Sequence, residues 1–238
     1  MQITVSIKHK SHIDELITRH DHFRHLKNLH IAETPKTRWY RGQDETYDLQ
    51  VIFIGKTGYG KSTTVNSIIG KRIFEFDDNK PCTHECQSAE YVISPCGKHY
   101  FSLGDLPGIG ESFEKDKKYI DMYSDFLKKT HTTVYILRAD TRDFALDIDL
   151  FNNLFKSGSE NGDRRKIVIG MNFCDKIEPL NRAEQFKPSQ EQLKNIDSKI
   201  DLVSIIFGIP INRIIPYSAI VGWNINALVR CIVDNLYL

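Results

Sequence analysis

The sequence predicts a three-layer α/β/α domain on a mixed six-stranded sheet, one strand of it antiparallel, preceded by an N-terminal helical extension. Three observations lead there. Short β-rich apolar runs at residues 49–54, 90–94, 100–103, 133–137, 166–171 and 213–217 alternate with helical patterns that begin near Lys61, Lys115, Phe144, Ser189 and Trp223. That alternation belongs to a mostly parallel sheet covered on both faces. The second and third runs are joined through Pro95, Cys96, Gly97 and Lys98, too short a link for a crossover, so they form a hairpin. Finally, 40% hydrophobic and 26% charged residues over a 238-residue chain suit one main globular core and exclude disordered, collagenous and disulfide-stapled classes.

The chain divides into an extension at 1–47 and a domain at 48–238. In the extension, Ser11 and Asp14 read as a capping box, and Ile13, Leu16, His20, Phe23 and His30 follow at helical spacing. An amphipathic helix is therefore expected over about 11–30, packed on the domain by its apolar stripe, followed by a Pro- and Arg-containing linker. His20, His22 and His25 lack the i, i+4 pairing and carboxylate support of a metal site. Cys82, His84 and Cys86 lack a second ligand cluster, which argues against zinc. Five scattered cysteines without a CxxC pair suit a reducing compartment.

Thirty-two basic against 31 acidic residues leave a net charge of +1, too little to draw the chain as a whole to nucleic acid or anionic lipid. No apolar run approaches the roughly 20 residues of a membrane span, and the first seven residues are too short and alternating for a signal segment. A cytoplasmic location is expected.

The chemistry is concentrated in the loops. The strand Val51, Ile52, Phe53, Ile54 leads straight into Gly55-Lys56-Thr57-Gly58-Tyr59-Gly60-Lys61-Ser62-Thr63 and then a helix. This is GxxxxGK[ST] in its strand, loop, helix context, a P-loop. Glycines let the backbone close on phosphate, and successive N–H groups at the helix start can then wrap it. Lys61 is expected to reach the β- and γ-phosphates and the Ser62 hydroxyl to ligate Mg²⁺. Asp105-Leu106-Pro107-Gly108 ends another strand and fits DxxG, with Asp105 on Mg²⁺ and the Gly108 N–H sensing a γ-phosphate. Asn172-Phe173-Cys174-Asp175 fits NxxD, and a carboxylate there can accept both N1–H and N2–H₂ of guanine, a donor pair adenine lacks. Ser218 and Ala219 close the last strand, where a backbone N–H can meet guanine O6. The polar stretch 76–85 is the expected first switch, with Thr83 as the residue that closes on Mg²⁺ and the γ-phosphate. Four such motifs in order, each at a strand end, point to GTP and GDP as ligands.

With these residues in view, the chain resembles the Era-like P-loop GTPases, the TrmE, Era and EngA type of G domain, and within them the small prophage and genomic-island bacterial branch. The likeness runs through residues 55–70, 82–86, 105–112, 138–140, 175–179 and 218–223. Likeness to the AIG1 and chloroplast Toc GTPases is expected around the P-loop and Thr83 and to fade afterwards. Three positions depart from the resemblance. Phe173 stands where NKxD has lysine, so an aromatic lid replaces an aliphatic one over the base. Gly58 stands where potassium-activated relatives carry Asn. Ile109 follows DxxG where the best-known small GTPases carry a water-orienting Gln.

The resemblance implies a nucleotide-gated switch that hydrolyses GTP slowly, with Lys61, Thr83 and Gly108 around the γ-phosphate. Catalysis is then completed by a protein partner or activator, or by a homodimer through the switch face to which Arg138 or Arg142 contributes. Within one chain, His84 or Glu85 could orient the water instead. The alternatives are a ribosome-associated assembly GTPase and a GTP-dependent oligomerising scaffold with little intrinsic hydrolysis.

Overall fold

The computed structural model describes residues 2–4, 38–41, 44–70, 72–74, 87–93, 99–110, 113–155, 164–180 and 186–236. The helix expected over 11–30 and the first switch, with Thr83, His84 and Glu85, lie outside them. The strands are β1 (Gln2–Thr4), β2 (Arg38–Arg41), β3 (Asp44–Gly55), β4 (Gln87–Ile93), β5 (His99–Asp105), β6 (Thr132–Arg138), β7 (Ile167–Asn172) and β8 (Ile214–Pro216). The helices are α1 (Lys61–Ile69), α2 (Phe113–Leu127), α3 (Ala145–Leu154), α4 (Gln190–Phe207) and α5 (Ile225–Asp234).

Along the sheet the order is β1, β4, β5, β3, β6, β7, β8, with β2 added on β3. Five neighbours, β5, β3, β6, β7 and β8, run parallel. The expected six strands with one antiparallel must be corrected: among the described residues the sheet has eight strands, and antiparallel pairing occurs between β4 and β5 and between β2 and β3. The miscount has a physical origin. β1 and β2 are three and four residues long, without the apolar run that marks a buried strand. The boundary drawn between residues 47 and 48 falls inside the 12-residue β3.

Two-residue alternation along the central strands divides the core between the sheet's two faces. Val51, Phe53, Val134, Ile136 and Val168 pack with Val65 and Ile68 of α1 and Leu228 and Ile232 of α5. Ile52, Ile54, Tyr135, Leu137 and Ile169 face the other way, onto Tyr123 of α2, Phe151 of α3 and Val203 and Phe207 of α4. Here Phe151 meets Tyr135 and Phe207 edge to face, with centroids 5.4 and 5.1 Å apart, a geometry in which ring edges meet electron-rich faces. α4 starts at a reciprocal capping box between Ser189 and Gln192 and ends at Gly208 in the left-handed conformation, both helix signals legible in the sequence.

Strand register aligns the chemistry. Phe53 pairs with Asp105, Gly55 with Ile136, Arg138 with Asn172 and Met171 with Pro216. The P-loop, DxxG, NxxD and Ser218-Ala219 loops therefore all leave the C-terminal edge of the parallel block, where open α/β sheets bind ligands.

At the opposite edge His131 is buried between β3 and β6. Its Nδ1 accepts from the Gln50 N–H at 2.9 Å, and its own N–H donates to the Gln50 carbonyl at 2.9 Å. An acceptor nitrogen requires the neutral ring, and burial, aided by the Lys166 charge, lowers its pKa to about 4. The unfolded chain takes up this proton near pH 6.5, so the contribution is complete above that pH and is lost as pH falls through about 4. Urea unfolding at stepped pH should show His131→Gln losing less stability than the native chain between pH 7 and 5. Parallel pH profiles would refute the assignment.

Candidate nucleotide-binding site

The P-loop runs from the end of β3 into α1. Gly60 takes φ +81°, and a Cβ there would lie 2.4 Å from Asn172 Nδ2. Both the backbone twist and the close approach demand glycine. No side-chain hydrogen bond caps α1, whose N-cap is Gly60, and a helix start directly after a glycine loop is the arrangement that suits an anion. Lys61 is buried, and its ammonium donates to the Lys56 carbonyl at 3.0 Å, across that concavity. Thr64 Oγ1 donates to the Gly60 carbonyl at 2.7 Å and also meets Tyr217 Oη at 2.9 Å, which anchors the loop's exit in the core. Thr57, Tyr59 and Thr63 complete the expected loop, with Gly58 exposed at its tip.

Asp105, at the end of β5, is fully buried and accepts a 2.5 Å hydrogen bond from Ser62 Oγ. The two expected metal ligands thus meet beside the start of α1. A hydroxyl and a carboxylate are the hard oxygen donors that suit Mg²⁺. Beyond Asp105 the chain continues alongside the P-loop: Leu106 N–H donates to Phe53, Ile109 N–H to Gly55, and Thr57 N–H to Ile109. Gly108 is pressed against the loop, since a Cβ there would lie 2.5 Å from Thr57 Cα. Ile109 is buried in the α2-side core with Leu106 and Tyr123, so the residue after DxxG is a packing side chain.

The base-reading loops meet at Asn172, which is buried at the end of β7. Its Nδ2 donates to the Tyr59 carbonyl at 3.1 Å, and its Oδ1 accepts from Phe173 N–H at 2.9 Å and Ala219 N–H at 3.0 Å. One carboxamide thus fastens the P-loop, NxxD and Ser218-Ala219 loops together. Of the Ser218-Ala219 backbone N–H groups expected near guanine O6, that of Ser218 donates to the Trp223 carbonyl and that of Ala219 to Asn172 in this structure. Ser218 Oγ donates to Asp175 Oδ1 at 2.6 Å, and Asp175 stays partly exposed.

Two features escaped the motifs. Tyr59 Oη donates to Asp147 Oδ2 at 3.1 Å, and Lys56 Nζ lies 3.8 Å from the same oxygen, tying the P-loop to α3. Burial raises the Asp147 pKa to about 6, against the opposing pull of Lys56. Arg138, considered as a residue donated to a second subunit, instead makes a bidentate pair with Asp140 at 2.9 and 2.7 Å. Its guanidinium lies 4.2 Å from the Phe173 ring centroid. The sequence suggests Arg138 only in trans, Asp140 only as part of the resemblance, and Asp147 not at all, since no spacing signal links Arg138 to Asp140 and Phe173 or Asp147 to the P-loop.

A GxxxxGK[ST] loop, a Ser62–Asp105 contact and an NxxD loop at the C-terminal ends of β3, β5 and β7 define a P-loop G domain. The AIG1 family model matches residues 49–170, just over half of the chain, and the chain belongs to that GTPase family. The match reaches through β6 into β7, so the likeness to AIG1 does not fade after Thr83 as expected. The chain is 27% identical over 190 residues to the uncharacterized protein YkfA of Escherichia coli K12, covering 80% of this chain and 63% of YkfA. It is 24% identical over 216 residues to the GTPase Der of Pseudomonas fluorescens, covering 86% of this chain and 42% of Der. It thus spans about three fifths or less of these relatives. Solved structures that share the fold include Era and Toc33. Aquifex aeolicus Era bound to GDP·AlF₄⁻ superposes with a TM-score of 0.61 at 20% identity, covering 80% of this chain and 57% of Era. Arabidopsis thaliana Toc33 with Mg²⁺ and GMPPNP does so at 0.59 and 15%, covering 96% and 94%.

Asn172→Ala should leave the Phe173 and Ala219 N–H groups without their acceptor and destabilise the ligand-free protein by about 3 kcal/mol. Asn172→Asp keeps the acceptor but sets a carboxylate oxygen against the Tyr59 carbonyl, so it should be destabilised as well. Urea denaturation of both variants checks this, and an unchanged midpoint for Asn172→Ala would show that the three loops hold without the carboxamide.

Proposed function

We propose that this chain binds GTP and GDP with Mg²⁺, hydrolyses GTP slowly, and acts as a nucleotide-gated switch whose output is a protein partner. The observation that carries the reading is Asp175, oriented by the Ser218 hydroxyl at 2.6 Å and partly exposed beside a P-loop that Asn172 fastens in place. A carboxylate there can accept two guanine donors at once, and adenine has no such pair to offer. Lys61 and the N–H groups at the start of α1 are assigned to the phosphates. Ser62 and Asp105, joined by Thr83, would hold Mg²⁺, which neutralises phosphate charge when bound. The Gly108 N–H is assigned to the γ-phosphate, for which the Thr57–Ile109 contact must open. Era and Toc33, which share the fold, are known with guanine nucleotides, in Toc33 together with Mg²⁺.

Two described residues support slow turnover. Ile109 faces the core, and Arg138 is committed to Asp140, so neither can orient the attacking water or stabilise charge on the phosphate. Completion from outside one chain is therefore proposed, by an activator or a second copy; in Toc33, dimerization is important for GTPase activity.

Titration calorimetry with GTP, GDP, XTP and ATP tests the binding. GTP should bind and ATP should not, Lys61→Ala should abolish binding, and Asp175→Asn should weaken GTP by about 2 kcal/mol while gaining XTP. Equal native affinity for ATP and GTP would refute the guanine assignment. Single-turnover hydrolysis measured over a range of protein concentrations tests the rest. The rate should begin near that of an unstimulated small GTPase, on the order of 10⁻³ s⁻¹ or slower, and rise with concentration or on adding an activator. A fast, concentration-independent rate would place the whole catalytic apparatus within one chain.

A further inference from the structure

We infer that Arg138 is a positioning residue for the base pocket: held by Asp140, its guanidinium fixes the Phe173 ring as the wall against which the purine stacks. The inference rests on the guanine-nucleotide reading and adds what shapes the pocket.

Phe173 adopts φ +65°, a left-handed conformation that is unfavourable for a bulky side chain. Its N–H is held by Asn172 Oδ1 at 2.9 Å, so the backbone is fixed first. The ring then leans over the P-loop, with Cε2 3.6 Å from the point where a Gly60 Cβ would stand. An aromatic ring beside a nucleotide loop offers a purine a flat stacking partner, provided that it does not swing. Two cations restrain it: the Arg138 Cζ lies 4.2 Å and the Lys176 Nζ 4.8 Å from its centroid, within the range where a cation is held by the ring's quadrupole.

Arg138 is the better placed of the two. It is the last residue of β6, paired with Asn172 of β7 in the parallel ladder, and the next N–H, of Ala139, donates to the Asn172 carbonyl at 2.8 Å. Its Nε and Nη2 are both committed to Asp140, a planar fork that leaves little rotational freedom. The rigidity of the sheet end is thus passed through Arg138 to Phe173. Lys176 is exposed on a flexible stem and adds to the restraint without setting it.

The test is a double-mutant cycle in which GDP and GMPPNP are titrated against the native chain, Arg138→Ala, Phe173→Ala and the double variant. Arg138→Ala should weaken both nucleotides alike, by about fivefold, and the double variant should be no weaker than Phe173→Ala alone, because Arg138 acts only through the ring. Asp140→Asn should lose affinity in the same direction, and Arg138→Lys should restore part of it. Multiplying losses in the double variant, or a loss confined to GMPPNP, would overturn the inference and assign Arg138 to the phosphates. Unchanged affinity in Arg138→Ala and Asp140→Asn would overturn it while leaving guanine binding intact. A native chain that takes up neither nucleotide would remove the guanine reading and this inference together.

Discussion

The Asn172 carboxamide is the interaction on which the rest of the site depends. Phosphate and base loops leave different strands, and nothing in the sheet ladder fixes one against the other once the strands end. A buried side chain with one donor bond to the P-loop and two acceptor bonds to the base loops supplies that link. Its cost of burial is offset only because both ends of the amide are satisfied. The same constraint explains Gly60, where a side chain would occupy the space of Asn172 Nδ2.

Legibility in the sequence followed burial and periodicity. The parallel block and its helices were marked by apolar runs that alternate between two core faces, and the hairpin by a four-residue link. β1 and β2 were not, because short strands that add to an existing edge or extension need backbone partners rather than an apolar run. In the site, Lys61, Ser62, Asp105, Asn172 and Asp175 stood out in the sequence because they fall at the fixed spacings of P-loop, DxxG and NxxD motifs, and the fold brings their loops to one edge of the sheet. Arg138, Asp140 and Asp147 were not, because they act through neighbours that only the fold brings together. Ile109 shows the limit in another way: its type was read correctly, but its burial in the α2-side core emerged only from packing.

Electrostatics around the P-loop combine a cationic mouth with a carboxylate behind it. Lys61 and Lys56 carry the positive charge, while Asp147 sits behind Tyr59 at 0% exposure, with its pKa raised to about 6 mainly by burial. The raised value means that the fold favours its protonated form, so its contribution is largest at low pH and is lost as pH rises from about 4 through 6. The sign is opposite to that of His131.

The contact between the DxxG segment and the P-loop also sets a scale for motion. Past Asp105 the two segments are joined by the Leu106 N–H to Phe53, the Ile109 N–H to Gly55 and the Thr57 N–H to Ile109, a short continuation of the β3–β5 ladder beyond its last residue pair. Releasing the segment would break these bonds, worth about 1 kcal/mol net each, and would also draw Ile109, buried in the α2-side core, into water at about 2 kcal/mol more. A ligand that bonds to the Gly108 N–H must therefore offset both terms. Occupation of that N–H and loosening of the Ile109 packing become a single event.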